Sequence, residues 1–242
     1  MVDDRERQHG QPTQDDHYFS ARPASADERR DLEVVLAGRE VTVQTAAGVF
    51  SGHRIDLGTR VLLRAVPAPP AQGHLLDLGC GWGPLALTLA MLSPEATVWA
   101  VDVNERALDL VRRNALALGL HGIQAARPEQ VPDDVRFAAI WSNPPIRVGK
   151  DALHQMLTMW LRRLDDAAAA HLVVQRNLGA DSLLSWLDSQ TRTGALPNEI
   201  RASKLRSAKG FRVLIVERPA DVRAASSAAR DGEGDGDSRG RG

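Results

Sequence analysis

The chain has 242 residues, 43% of them hydrophobic, which suffices for one sizeable core rather than two independent domains. A formal net charge of −1 excludes a global attraction to nucleic acid, so any such contact must come from a local basic patch. The single cysteine, Cys80, excludes an intramolecular disulfide and a cysteine-based zinc site, and the seven histidines show no metal-ligand spacing.

The amino terminus, Met1 to Arg7, lacks an apolar signal stretch, and no run approaches the ~20 apolar residues of a membrane span. A cytoplasmic protein with no membrane partner and no metal is expected. Residues 1–30 are charged and polar, with one aromatic cluster at His17-Tyr18-Phe19, and read as a disordered arm. Leu32 to Leu36 and Arg39 to Val43, separated by Ala37-Gly38, predict a hairpin. Thr59 is placed to cap a helix running to about Ala65, where Pro67, Pro69 and Pro70 end it. Residues 31–70 are therefore read as a hairpin-and-helix extension of a main domain over 71–219.

Beyond that boundary the pattern alternates. Strands are predicted at His74–Leu78, Thr97–Asp102, Ile123–Ala126, Phe137–Ser142 and Leu172–Gln175, with helices at Pro84–Leu92, Glu105–Leu118, about Asp151–Leu164 and near Asp181–Ser189. Two last strands, near Asn198–Ala202 and Phe211–Glu217, have no room between them for a crossover helix and should be antiparallel. The fold class is thus α/β: a doubly wound, seven-stranded, mostly parallel Rossmann-like sheet with a final antiparallel hairpin. Residues 220–242 are Ala, Ser, Gly, Asp and Arg in the main, and read as a disordered tail.

Two stretches carry chemistry. Ser142-Asn143-Pro144-Pro145 ends a strand in an amide and two prolines, a rigid corner with two backbone N–H groups removed. What it offers is mainly acceptors, which match the donors of an exocyclic NH2. Asn-Pro is also an ordinary turn-starting pair, and it is a second motif upstream that favours a site. That motif, Leu75-Leu76-Asp77-Leu78-Gly79-Cys80-Gly81-Trp82-Gly83-Pro84, is a buried strand entering a glycine-rich turn and then a helix. Asp102 follows at the end of the next strand, where a carboxylate accepts the ribose hydroxyls of a nucleoside. The glycines do not follow the dinucleotide spacing, and Asp77 would repel a pyrophosphate while suiting a cationic methionine group. The cofactor indicated is S-adenosyl-L-methionine rather than NAD. Trp82 and Trp141 read as core packing, and Cys80 as a small packed residue rather than a nucleophile.

These motifs resemble those of class I S-adenosylmethionine-dependent methyltransferases. More narrowly, G-V-F-S at 48–51, I-D-L-G-T at 55–59, S-N-P-P at 142–145 and K-G-F-R-V at 209–213 resemble the small-subunit ribosomal RNA guanine-N2 methyltransferases, over about residues 42–217. The resemblance implies that Gly79, Cys80, Gly81 and Gly83 form the cofactor loop, that Asp77 faces the methionine amino group, and that Asp102, with Val103 beside it, holds the ribose. Asn143, with Pro144 and Pro145, would hold the target amine next to the cofactor. Relatives commonly carry an aromatic residue after N-P-P where this chain has Ile146-Arg147, so base stacking must come from elsewhere or from the Arg147 plane. The acid often found after the third strand is absent, and Glu129 is its nearest substitute. For contact with ribosomal RNA or the small ribosomal subunit, Arg147 and Lys150 flank the corner, and Lys204, Arg206 and Lys209 stand in a basic run with Arg201 and Arg212. Glutamine side-chain methylation or a small-molecule amine would use the same corner, and a catalytically silent RNA-binding fold is a reading of a different class.

Overall fold

The computed structural model describes residues 29–197 and 199–220. The arm and tail expected at the two ends fall outside these residues, except that Arg29 and Arg30 open the first strand and Ala220 follows the last. β1 (Arg29–Leu36) and β2 (Arg39–Ala46) form an antiparallel hairpin whose turn residues, Ala37 and Gly38, both take positive φ. Such a turn matches the twist of the strands it joins. α1 (Leu57–Leu63) follows, capped by Asp56 and not by Thr59: the Asp56 carboxylate accepts the Gly58 and Thr59 N–H groups. Asp56 wins because its carboxylate reaches the free amides one turn earlier and carries the charge that the helix start favours.

The main sheet has seven strands: β3 (His74–Leu78), β4 (Thr97–Val101), β5 (Ile123–Ala126), β6 (Phe137–Ser142), β7 (Leu164–Gln175), β8 (Arg201–Ala208) and β9 (Phe211–Arg218). Their order is β5-β4-β3-β6-β7-β9-β8, with β9 antiparallel to both of its neighbours and the pairs from β5 to β7 all parallel. The chain direction across the sheet reverses between β3 and β6, the place where α/β folds bind ligands at the carboxyl ends of strands.

α2 (Pro84–Leu92), α3 (Glu105–Ala117) and α1 cover one face, where Val61, Leu62, Leu89 and Leu108 meet Leu75, Trp141, Val173 and Val213. α4 (Lys150–Leu161) and α5 (Ala180–Arg192) cover the other, where Leu157, Trp160 and Leu187 meet Leu76, Ile140, Leu172 and Leu214. Burial of each such side chain contributes roughly 1.5–3 kcal/mol. The hairpin is fastened to the α2/α3 side: Leu36 and Val43 pack with Leu110, and buried Asn114 bonds the backbone of Gln44 in both directions, at 2.7 and 3.0 Å.

The largest departures from expectation lie in α4, β7 and β8. α4 ends at Leu161 and β7 starts at Leu164, because Ala167 to Ala170, helix-favouring in isolation, are drawn into the sheet beside β6. A register shift opposite Phe137–Ala139 and a positive φ at Ala167 mark where β7 bends to do so. The penultimate strand is Arg201–Ala208 rather than Asn198–Ala202; it is an almost wholly exposed edge strand without apolar alternation, and Asn198 lies outside the described residues.

Candidate active site

At the carboxyl end of β3 the chain turns through Gly79, Gly81 and Gly83, at φ 76°, 55° and 95°, a region that side chains adopt only under strain. A Cβ at Gly83 would in addition lie 3.0 Å from Val111 Cγ2, so close helix packing also requires glycine there. The N–H groups of Gly79 and Cys80 both donate to the Val101 carbonyl, tying the turn to β4.

Two acids sit under this turn. Asp102 accepts the Gly81 N–H on Oδ2 and the Asn104 N–H on Oδ1, each at 2.9 Å, so it shapes the loop while each oxygen keeps a lone pair for a hydroxyl. Burial raises its pKa, opposed by those N–H groups. Asp77 is 1% exposed. Its Oδ2 accepts the Ala86 N–H at 2.9 Å, and its Oδ1 has no partner among the described residues. Burial pushes the Asp77 carboxyl up to about 8, with the Ala86 N–H opposing and the Asp102 charge adding to the rise. A buried acceptor without a donor is costly, and a cationic amine brought to this oxygen would relieve it.

Cys80 is buried, its thiol directed at the Gly81 carbonyl and its pKa raised by burial, with Asp102 and Asp77 adding; it packs the turn and offers no thiolate. Trp82 is buried in the core, its Nε1 donating to the Ser51 carbonyl at 3.3 Å, and Trp141 is buried likewise. Val103 is exposed beside Asp102. Arg127 donates to the Val103 carbonyl and pairs with Glu105 and Glu129, whose hydrogen bond to Arg127 holds the Glu129 carboxyl below its usual range. Glu129 therefore stands in an ion pair at the rim of this region.

β6 brings the second half of the site. The Ser142 hydroxyl donates to the Leu78 carbonyl at 2.7 Å, stitching the ends of β6 and β3 together. Asn143 follows, and its Nδ2 donates to Asp56 Oδ2 at 3.0 Å and to Thr59 Oγ1 at 3.1 Å, both on α1 or its cap. Within the corner, the Pro144 carbonyl accepts the Ile146 N–H and the Pro145 carbonyl accepts the Val148 N–H. A single cleft is lined by Asp56, Thr59, Asp77, Gly79, Gly81 and Asn143, with Phe50, half-exposed, at its wall. Asp77, the glycine turn and Asn143 are thus brought together. Asp56 and Thr59 were not singled out as site residues from sequence, although their I-D-L-G-T motif was visible.

The basic residues separate. Across the rungs of the sheet, Ser142 lies level with Leu172, Leu214 and Lys204, and Arg206 lies one rung nearer the carboxyl edge. Three strand spacings of ~4.8 Å put β8 about 14 Å from β6. The bulge at Leu205 turns Arg206 onto the α1 face, where it donates to the Arg64 carbonyl, while Lys204 stays on the opposite face. Lys209 occupies the hairpin turn at the carboxyl edge. Arg212 is taken up in an ion pair with Asp181, and Arg201 lies at the far end opposite Glu217. Arg147 and Lys150 are exposed just past the corner. Among the described residues, no group of His, Cys, Asp or Glu is arranged to hold a metal ion, and no helix is long and apolar enough to cross a membrane.

Comparison with known proteins identifies relatives of this chain and of its fold. A structure of the Thermus thermophilus 16S rRNA N2 G1207 methyltransferase in complex with AdoMet and guanosine superposes with a TM-score of 0.65 at 25% identity, over 81% of this chain and 52% of that one. The uncharacterized protein YbxB of Bacillus subtilis (strain 168) is 32% identical over 176 residues, 72% of this chain and 88% of that protein. The ribosomal RNA small subunit methyltransferase C of Aeromonas hydrophila is 37% identical over 139 residues, 57% of this chain but only 39% of the relative. The chain thus matches about two fifths to one half of the length of these RNA methyltransferases. The family model for the methyltransferase small domain matches residues 40–199, and the chain belongs to that family.

Proposed function

We propose that this protein is an S-adenosylmethionine-dependent methyltransferase that modifies an exocyclic amine, the N2 of a guanine in small-subunit ribosomal RNA. The observation that carries this reading is the single cleft lined by Asp77, the glycine turn and Asn143 together, with one Asp77 oxygen left without a partner among the described residues. The residues present fit the cofactor: Asp77 would meet its amino group, the glycine turn would admit it close to the backbone, and Asp102 would take its ribose hydroxyls. S-adenosylmethionine supplies an electrophilic methyl group on a sulfonium.

The chain's own task is positioning. A guanine amine is a poor nucleophile because its lone pair is delocalised into the ring. The Asn143 Oδ1 and a backbone carbonyl of the same corner accept its two N–H bonds and turn the lone pair toward the methyl carbon. Alignment at ~3–3.5 Å alone accounts for ~7–11 kcal/mol of barrier lowering in favourable cases. Methylation would leave the amine nitrogen cationic and acidic, so the corner needs no strong base and the proton can pass to water. A paired base must first be unstacked, which costs roughly a few kcal/mol and favours loop or single-stranded targets. Lys204, Arg206 and Lys209 at the sheet edge, with Arg147 and Lys150, supply the charge for the RNA backbone.

The test is tritium transfer from S-adenosylmethionine to small ribosomal subunits from a strain lacking the gene, followed by nucleoside digestion. Label in N2-methylguanosine that falls ~10²- to 10³-fold with Asn143→Ala is the expected result, since one preorganised contact is worth about that much. S-adenosylmethionine affinity should hold. Label in ribosomal protein points instead to a glutamine amide, and undiminished label in the variant removes Asn143 from the mechanism.

A further inference from the structure

The segment Ile55-Asp56-Leu57-Gly58-Thr59 has no part in the cofactor loop, yet it touches the residue at the centre of the proposed chemistry. Asp56 Oδ2 accepts three hydrogen bonds: from the Gly58 N–H at 2.6 Å, the Thr59 N–H at 3.3 Å and the Asn143 Nδ2 at 3.0 Å. Thr59 Oγ1 receives the same Asn143 nitrogen at 3.1 Å, and Thr59 is only 3% exposed. An ionised carboxylate has no hydrogen to give, so the side of Asn143 facing Asp56 must be its nitrogen. Asp56 and Thr59 provide that nitrogen with an acceptor for each of its two hydrogens. What remains of the amide is Oδ1 alone, which lies on the other side of the group.

We propose that Asp56 and Thr59 are positioning residues that lock the Asn143 amide in one orientation and make it an acceptor only. This rests on the reading of Asn143 as the holder of the target amine. A locked acceptor selects a target atom that carries N–H hydrogens and rejects one that is itself an acceptor, such as a ring nitrogen or a carbonyl oxygen. A freely turning amide would present its NH2 to either of those and hold them unproductively. Orientation fixed before the target arrives also spares the ordering of this side chain at the moment of reaction.

The rest of the motif follows from the same contact. A Cβ at Gly58 would come within 2.9 Å of Asp56 Oδ2 and 2.9 Å of Phe211 Cε1, so only glycine lets α1 seat against β9 with the carboxylate still aimed at Asn143. Helix capping alone does not explain the motif. A serine can also cap a helix, and a cap has no use for the Thr59 hydroxyl, which accepts from Asn143.

Three variants separate the roles. Asp56→Ser keeps the cap but is too short to reach Asn143; Thr59→Val keeps the shape and removes the hydroxyl; Asp56→Asn keeps an acceptor oxygen in place. Methyl transfer to small subunits should show kcat about 10²-fold lower for Asp56→Ser and reduced for Thr59→Val, with KM for S-adenosylmethionine unchanged and the protein still folded, and near-parent kcat for Asp56→Asn. A second measurement needs no substrate. In protein labelled with ¹⁵N-asparagine, the Asn143 side-chain amide hydrogens should exchange slowly with water in the parent and in Asp56→Asn, and rapidly in Asp56→Ser. Parent-like kcat in Asp56→Ser, or an Asp56→Asn variant as slow as Asp56→Ser, overturns the proposal. Unprotected Asn143 hydrogens in the parent overturn it as well. A parent that labels no guanine N2 overturns the functional reading instead, while the amide exchange still decides for or against the lock.

Discussion

Asp77→Asn probes the buried acid directly. In the folded protein the Asp77 carboxyl titrates near 8 against an ordinary 3.8, because burial penalises its charge. Between those two values the folded chain binds one more proton than the unfolded chain, so stability must fall as pH rises, by up to 1.36 kcal/mol per unit. Below the lower value the penalty is absent, and above the upper one it is complete. From pH 5 to pH 8 the loss is about 4 kcal/mol, a large share of a typical domain's stability. Asparagine cannot ionise, keeps an oxygen for the Ala86 N–H, and should lack this fall. Urea unfolding of cofactor-free parent and variant between pH 5 and pH 9 measures the difference. Isothermal calorimetry in buffers of different ionisation enthalpy adds a second reading: if a bound ammonium draws Asp77 into its charged form, S-adenosylmethionine binding at pH 7 releases a proton from the parent and little from the variant. Stability curves that run parallel for parent and variant would refute the argument that burial holds Asp77 protonated.

Charge reversal at Lys204, Arg206 and Lys209 should weaken RNA binding and flatten its salt dependence without changing S-adenosylmethionine affinity, as filter binding across a salt series will show; an unchanged salt slope removes this edge from the RNA contact. Gly58→Ala should lower stability by about 1–3 kcal/mol, because its new methyl meets Phe211 and the Asp56 carboxylate at 2.9 Å each; thermal unfolding within half a degree of the parent would show that the site has room.

What could be read in the sequence was what lies close together along it. Gly79, Gly81 and Gly83 with Asp77 form one continuous turn, Asp102 ends the next strand, and Asn143-Pro144-Pro145 announces itself by composition. The link between Asn143 and Asp56 was not legible, because 87 residues separate them and nothing in either segment names its partner. Thr59 was assigned the capping task that Asp56 performs, since any Ser, Thr, Asp or Asn before an apolar stretch gives the same signal. β8 escaped recognition over most of its length because an edge strand exposed on both faces has no apolar alternation to reveal it. The basic run looked continuous, yet the bulge at Leu205 and the Arg212–Asp181 pair divide it among two faces and an ion pair.

The reversal of strand order between β3 and β6 also bears on how such a protein can change. The glycine turn and Asp102 hang from β3 and β4, whereas Asn143, Lys204 and Lys209 belong to β6, β8 and the last hairpin. The seam between the two halves is a run of backbone hydrogen bonds, reinforced by Ser142 on Leu78, that depends little on which side chains point outward. One half can therefore be rewritten while the other is left alone, except for α1, which precedes β3 in the chain yet holds Asn143 through Asp56 and Thr59. A lineage, or an engineer, seeking a new target would need to alter the β6-to-β8 side together with α1, and hybrids that exchange both are the ones in which old cofactor affinity and new target preference should segregate.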